Sequence, residues 1–151
     1  MAKVKLIVCV RSTANTGKSS TIQELLLLLH PKSAKAPKWN KPSTQPNLAN
    51  LPKTINVEVW VKGSHVGLDS QGDVPKTLKS RLDLLAQNNC DIIFCTCRTK
   101  QGSPKVVKSI AKKYGYNLIW TSPYVVGAGG STQTTIKAMN QKKAAHLETF
   151  I

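Results

Sequence analysis

The sequence predicts an α/β domain, a three-layer sandwich in which helices cover both faces of a mainly parallel sheet. Three observations carry that expectation. Short, β-branched apolar runs such as VKLIVCV (4–10) and DIIFCT (91–96) suit strands buried on both faces. Longer segments between them repeat their apolar residues every three or four positions, as a helix lying on a sheet does. Strand and helix alternate along the chain, which calls for right-handed crossovers and sets polar loops at the carboxyl ends of the strands. With 151 residues there is chain enough for one domain, residues 1–151, and too little for two.

Each element has its own local reason. Residues 1–5 lead into the first apolar run with no small-residue cleavage site, so they read as the approach to a strand and not as a signal peptide. Residues 18–30 read as a helix, because Ile22, Leu25, Leu26 and Leu29 recur at helical spacing and Pro31 ends the pattern. Residues 31–53 hold five prolines, five lysines and no acid, which argues for an irregular insertion, either a mobile lid or a loop pinned by Trp39. In 54–61, Ile55, Val57, Val59 and Val61 alternate with Asn56, Glu58 and Trp60, the pattern of a half-buried strand with Glu58 in solvent. A turn at 62–65 and a short antiparallel strand at 66–69 follow. Pro75 then opens a helix with Leu78, Leu82, Leu85 and Ala86 on one face. Beyond DIIFCT, a helix from Ser103 sets Val106, Val107, Ile110, Ala111 and Tyr114 against Lys105, Lys108 and Lys112. Residues 116–120 form a last strand, Gly127–Gly130 a hinge (or else a loop beside a bound ligand) and 134–150 a closing helix.

Composition narrows the partners. Lys and Arg number 22 against seven acids, a net charge of +15 that attracts polyanions such as nucleotides, DNA or RNA. Much of this is lysine, so compositional bias is a competing account. No segment is long enough to span a bilayer; Leu25–Leu29, the longest pure apolar run of its kind, lies between Glu24 and His30. Cys9, Cys90, Cys95 and Cys97 form no C-x-x-C pair and His30, His65 and His146 are scattered, so buried reduced thiols in a cytoplasmic protein are expected over a zinc site.

The chemistry concentrates in one turn. Ser12-Thr13-Ala14-Asn15-Thr16-Gly17-Lys18-Ser19-Ser20 joins the first strand to the first helix. It follows G-x-x-x-x-G-K-[ST] from the second glycine onward, with Ser12 where the first glycine belongs. Converging backbone N–H groups and the positive end of the helix suit phosphate there. At these residues the chain resembles the P-loop NTPase superfamily. The resemblance implies a P-loop NTPase-like fold and a Mg²⁺–ATP site in which Gly17 permits close approach, Lys18 bridges the outer phosphates and Ser19 ligates Mg²⁺. As a bare string the same residues are also an ordinary helix cap.

The resemblance further implies an acid at a neighbouring strand end. Asp69-Ser70-Gln71-Gly72 fits the D-x-x-G form, with Asp69 holding the metal shell and the Gly72 N–H at the γ-phosphate; Asp73 is the rival acid. Arg98, just past DIIFCT, is placed to meet phosphoryl charge. Three readings stand: ATP binding with hydrolysis, a small-molecule or nucleotide kinase using 31–53 as a lid, and a nucleic-acid-binding module regulated by nucleotide. The lid carries lysines without an arginine fork, which disfavours the kinase. No N-K-x-D follows a late strand, which favours ATP over GTP. Superfamily members also complete such sites with a second subunit, so a homo-oligomer stays open.

Overall fold

The computed structural model describes residues 4–12, 18–99, 102–124 and 133–151. It is an α/β domain built on a six-stranded mixed sheet, with four helices among the described residues. The strands are β1 (Leu6–Arg11), β2 (Lys38–Lys41), β3 (Asn56–Val61), β4 (Ser64–Asp69), β5 (Ile92–Cys97) and β6 (Asn117–Thr121). The helices are α1 (Lys18–Leu29), α2 (Pro75–Gln87), α3 (Ser103–Tyr114) and α4 (Gln133–Glu148). Sheet order is β2-β3-β4-β5-β1-β6. β4, β5, β1 and β6 run parallel, while β3 is antiparallel to β4 and β2 to β3. The carboxyl ends of β4, β5, β1 and β6 therefore share one edge of the molecule.

Alternation along each strand divides the core in two. Val8, Val10, Leu68 and Phe94 point to the face covered by α1 and α4, where they meet Ile22, Leu25, Leu26, Leu29 and Leu147. Ile7, Cys9, Ile93 and Cys95 point to the other face, against Leu78, Leu82 and Leu85 of α2 and Val107 and Ile110 of α3. Fully burying each such side chain contributes roughly 1.5–3 kcal/mol, so the central strands β1 and β5 anchor the fold. Pro75 begins α2 at a position where its missing N–H costs nothing. Gly115 ends α3 at φ 75°, its N–H returning to the Ala111 carbonyl. The β3–β4 hairpin turns on Lys62 and Gly63, both at positive φ (54° and 75°), which matches the twist of the two strands.

Two expectations change. Residues 38–41, read as part of an irregular stretch, form β2 on the outer edge of the sheet, Trp39 opposite Val57. Pro37 and Pro42 bracket this strand, a placement an edge tolerates because one side of its backbone needs no partner. Trp39 packs on the apolar core, and Gln23 of α1 donates to the carbonyls of Leu51 and Pro52, so the insertion is pinned along its length. Glu58, expected in solvent, is 1 % exposed. The reason is that β3 is covered on both faces: Asn88, at the end of α2, closes over the side that alternation assigned to water.

Candidate functional site

The predicted turn springs from a central strand. β1 lies between β5 and β6, and Ser12 continues the ladder by donating its N–H to the Cys97 carbonyl at 3.2 Å. Thr13, Ala14, Asn15, Thr16 and Gly17 lie outside the described residues, as do Gly127–Gly130. The chain resumes at Lys18, the first residue of α1, which is only 6 % exposed. Its Nζ reaches back across the mouth of the turn and donates to the Ser12 carbonyl at 3.3 Å. Burial pulls the ammonium below its ordinary pKa, Asp73 opposes that, and Arg98 adds to it. Lys18, Asp73 and Arg98 are thus one electrostatic group.

The loop after β4 closes the other side. Ser19 Oγ, one residue into α1, donates to the Ser70 carbonyl at 3.1 Å, tying the helix start to the end of β4. Gly72 lies so close to the end of β5 that a Cβ there would stand 2.3 Å from the Thr96 carbonyl oxygen. Only glycine fits that approach. The Gly72 carbonyl accepts from Ser103 Oγ at the start of α3, and Asp73 receives a 2.9 Å bond from Arg98 Nε. Ser20 follows on α1, half-buried.

Asp69 is placed differently from Asp73. β5 stands between its strand and β1, and its side chain points to the α2 face, away from α1. Its Oδ1 accepts from Asn56 Nδ2 and Arg81, each at 3.2 Å. Asp69 is fully buried, and burial outweighs the Arg81 charge and the Asn56 bond, lifting its pKa from 3.8 to about 6. Asp69 Oδ2 and Thr96 Oγ1 are buried with no hydrogen-bond partner among the described residues. Asp73, with roughly half of its side chain exposed, is the acid that faces Lys18.

A cleft that the sequence did not announce lies beside the carboxyl end of β1. It holds about 350 Å³ and is lined by Arg11, Thr99, Trp120, Thr121 and Ser122, at the carboxyl ends of β1 and β6. The Arg11 guanidinium lies 4.9 Å from the centre of the Trp120 ring, holding that ring in place. Lys143 of α4, 2 % exposed, donates to Thr121 Oγ1 at 2.5 Å and brings a further positive charge to this edge. Alternation in NLIWT marks Trp120 as a core residue, and it does pack on the α2–α3 side of the core; the parallel pairing of β6 with β1 also sets it opposite Cys9, near the carboxyl end of β1.

Three of the five lysines of the insertion are engaged elsewhere. Lys32 pairs with Glu148 at 2.6 Å, Lys35 lies 4.4 Å from the Trp60 ring centre, and Lys38 approaches Glu58 at 3.9 Å. β2 is also the edge strand farthest from β6, with β3, β4 and β5 between it and β1. By contrast Lys105, Lys108 and Lys112 are exposed together on the outer side of α3. No helix among the described residues is long and apolar enough to cross a membrane. Comparison with protein-family models, curated proteins and solved structures found no match.

Proposed function

We propose that the protein binds a Mg²⁺–nucleotide, ATP in preference to GTP, at the start of α1 and hydrolyses it. One observation carries this reading. The only charged side chain of the first turn of α1, Lys18, folds back over the end of a central parallel strand to reach Ser12, at the mouth of the turn whose residues follow the phosphate-loop pattern. An anion at that mouth would meet the N–H groups of the helix start, the helix dipole and the ammonium together.

The remaining residues fit a hydrated metal and phosphate. Ser19 donates its hydroxyl hydrogen to the Ser70 carbonyl, which leaves the oxygen lone pairs as acceptors for a cation. Asp73 is the acid in electrostatic reach of Lys18, whereas Asp69 is engaged by Arg81 and its pKa is raised by burial to about 6. The metal-shell role accordingly fits Asp73 better than Asp69. Mg²⁺ held there would screen the phosphate oxygens and lower the cost of charge moving between them. Arg98, held by Asp73 just past the end of β5, would follow that charge. The Trp120 cleft offers the base an apolar wall beside the carboxyl end of β1.

The kinase reading is less favoured, because residues 38–41 of its candidate lid lie on the far sheet edge and three of the insertion's lysines contact Glu148, Trp60 and Glu58. Nucleic acid remains a second partner on one observation, the exposed Lys105–Lys108–Lys112 stripe, and would be held through phosphates without base readout. The test is a thermal-shift screen of nucleotides with and without Mg²⁺, followed by a phosphate-release assay. ATP with Mg²⁺ at a hundredfold excess over its Kd should add about 2.7 kcal/mol to stability. Phosphate release without an acceptor supports hydrolysis; release only with an acceptor returns the kinase; no shift with any nucleotide refutes the proposal.

A further inference from the structure

A second constellation lies at the opposite end of the sheet. In the β3–β4 hairpin Glu58 pairs with Gly67 and Trp60 with His65, so Glu58 and His65 project on the same face. Cys90 enters from the turn between α2 and β5. It finds room because Gly67 lacks a side chain: a Cβ there would lie 3.0 Å from the Cys90 sulfur. Glu58 Oε1 lies 2.7 Å from His65 Nε2, and Cys90 Sγ lies 3.7 Å from that nitrogen and 3.9 Å from that oxygen. We propose that Glu58, His65 and Cys90 bind a divalent transition-metal cation of the zinc class, with one coordination position left open.

The geometry separates this from the alternatives. A nucleophilic relay needs the thiol on one imidazole nitrogen and the carboxylate on the other. Here both converge on Nε2, so three donors face one point instead of forming a chain. Around zinc, with bonds of about 2.3 Å to sulfur and 2.0–2.2 Å to nitrogen and oxygen, tetrahedral angles put sulfur ~3.5 Å from its neighbours and oxygen ~3.3 Å from nitrogen. Both sulfur distances are within a few tenths of an ångström of that. The oxygen–nitrogen edge is shorter because a proton holds it now.

Binding balances in protons and charge. The thiol releases its proton to solvent, the proton between Nε2 and Oε1 moves to Nδ1 or leaves, and the dication then meets one thiolate, one carboxylate and a neutral imidazole. The sum is zero in a site where Glu58 and Cys90 are 1 % and 0 % exposed. The surroundings already orient the donors. Asn40 and Asn88 donate to Glu58 Oε2 at 2.8 and 2.9 Å, which turns Oε1 toward the histidine. The His65 ring stacks on Trp60 at 4.7 Å, and its backbone N–H is held by Asp91 Oδ2 at 2.8 Å. Such outer contacts govern metal affinity by ten- to a hundredfold. With 17 % of its side chain exposed, His65 forms the entrance. The mixed sulfur, nitrogen and oxygen donors exclude Mg²⁺ and Ca²⁺, which take oxygen alone.

The test uses the full chain, reduced and stripped of metal, titrated with CoCl₂ and then ZnCl₂. The expected result is one cobalt per chain with a sulfur-to-cobalt charge-transfer band that zinc abolishes. Cys90→Ser should remove the band, and His65→Gln should weaken binding by at least ~100-fold, the upper range for an outer-shell change. Should Cys90→Ser fail to fold by circular dichroism, X-ray absorption of the zinc-loaded parent chain decides instead, with one sulfur per zinc expected. No charge-transfer band at excess cobalt overturns the proposal and leaves a buried hydrogen-bond network. A band that survives in folded Cys90→Ser, or more than one sulfur per zinc, overturns it in favour of Cys9, Cys95 and Cys97.

Discussion

Replacing Asp69 by asparagine tests the electrostatics of the β4 end with a signed, measurable consequence. Burial raises the Asp69 pKa from 3.8 to about 6 despite the Arg81 guanidinium 3.2 Å away. An acid raised in the folded state binds its proton more tightly folded than unfolded, so stability falls as pH rises between those two values. The stabilising contribution is complete below about pH 4 and gone above about pH 6. At about 1.4 kcal/mol per pH unit, the gap between 3.8 and about 6 amounts to ~3 kcal/mol. Asparagine keeps the shape and an oxygen for Arg81 and Asn56 but cannot titrate. Urea unfolding of both proteins at about pH 4 and about pH 7.5 should therefore show the parent gaining ~2.4 kcal/mol on the variant at the lower pH, most of the full difference. Other carboxylates cancel in that comparison. A difference that stays constant between the two pH values means that the Asp69 pKa is the same folded and unfolded, which contradicts the raised value.

Further outcomes follow from the same geometry. Gly72→Ala forces a Cβ against the Thr96 carbonyl, 2.3 Å away where about 3 Å is the limit, and should cost about 1–3 kcal/mol in urea unfolding while weakening nucleotide binding. An unchanged midpoint would show that the 70–73 loop yields. Asp73→Asn should raise the Mg²⁺ concentration needed for half-maximal ATP binding, and Asp69→Asn should not; calorimetric titration at several Mg²⁺ levels distinguishes them, and the reverse order restores Asp69 as the metal-shell acid. Arg98→Ala should lower the rate of phosphate release by about 100-fold or more with little change in ATP affinity, as loss of a transition-state contact does. Lys105→Gln combined with Lys108→Gln and Lys112→Gln should flatten the salt dependence of single-stranded DNA binding, which for several phosphate contacts spans orders of magnitude between ~50 and ~200 mM.

What could be read from the sequence was what local periodicity encodes. The apolar alternation of 54–61, the helical spacing of Leu78, Leu82 and Leu85, and the run DIIFCT each matched an observed element within a residue or two. Which strand lies beside which is not local. Nothing in VKLIVCV or in 66–69 says that β5 separates them, and that neighbour decides which acid sits near Lys18. β2 was hidden because edge strands carry lysine and flank prolines, the same residues that mark irregular chain. Glu58 misled for a related reason: alternation distinguishes two faces of a strand but cannot say that α2 will close over the second. The Glu58–His65–Cys90 cluster was equally invisible, since its members come from two strands and a turn with no short spacing among them.

The central claim is that triphosphate is gripped at the mouth of α1 by the Lys18 ammonium. Calorimetric titration of ATP with Mg²⁺ into the parent chain and into Lys18→Ala tests it most directly. The account predicts saturable binding with one site per chain in the parent and a loss of at least ~10-fold in affinity in the variant, the 1.4 kcal/mol or more expected of a charge-assisted contact. Equal affinity in a folded Lys18→Ala would contradict it.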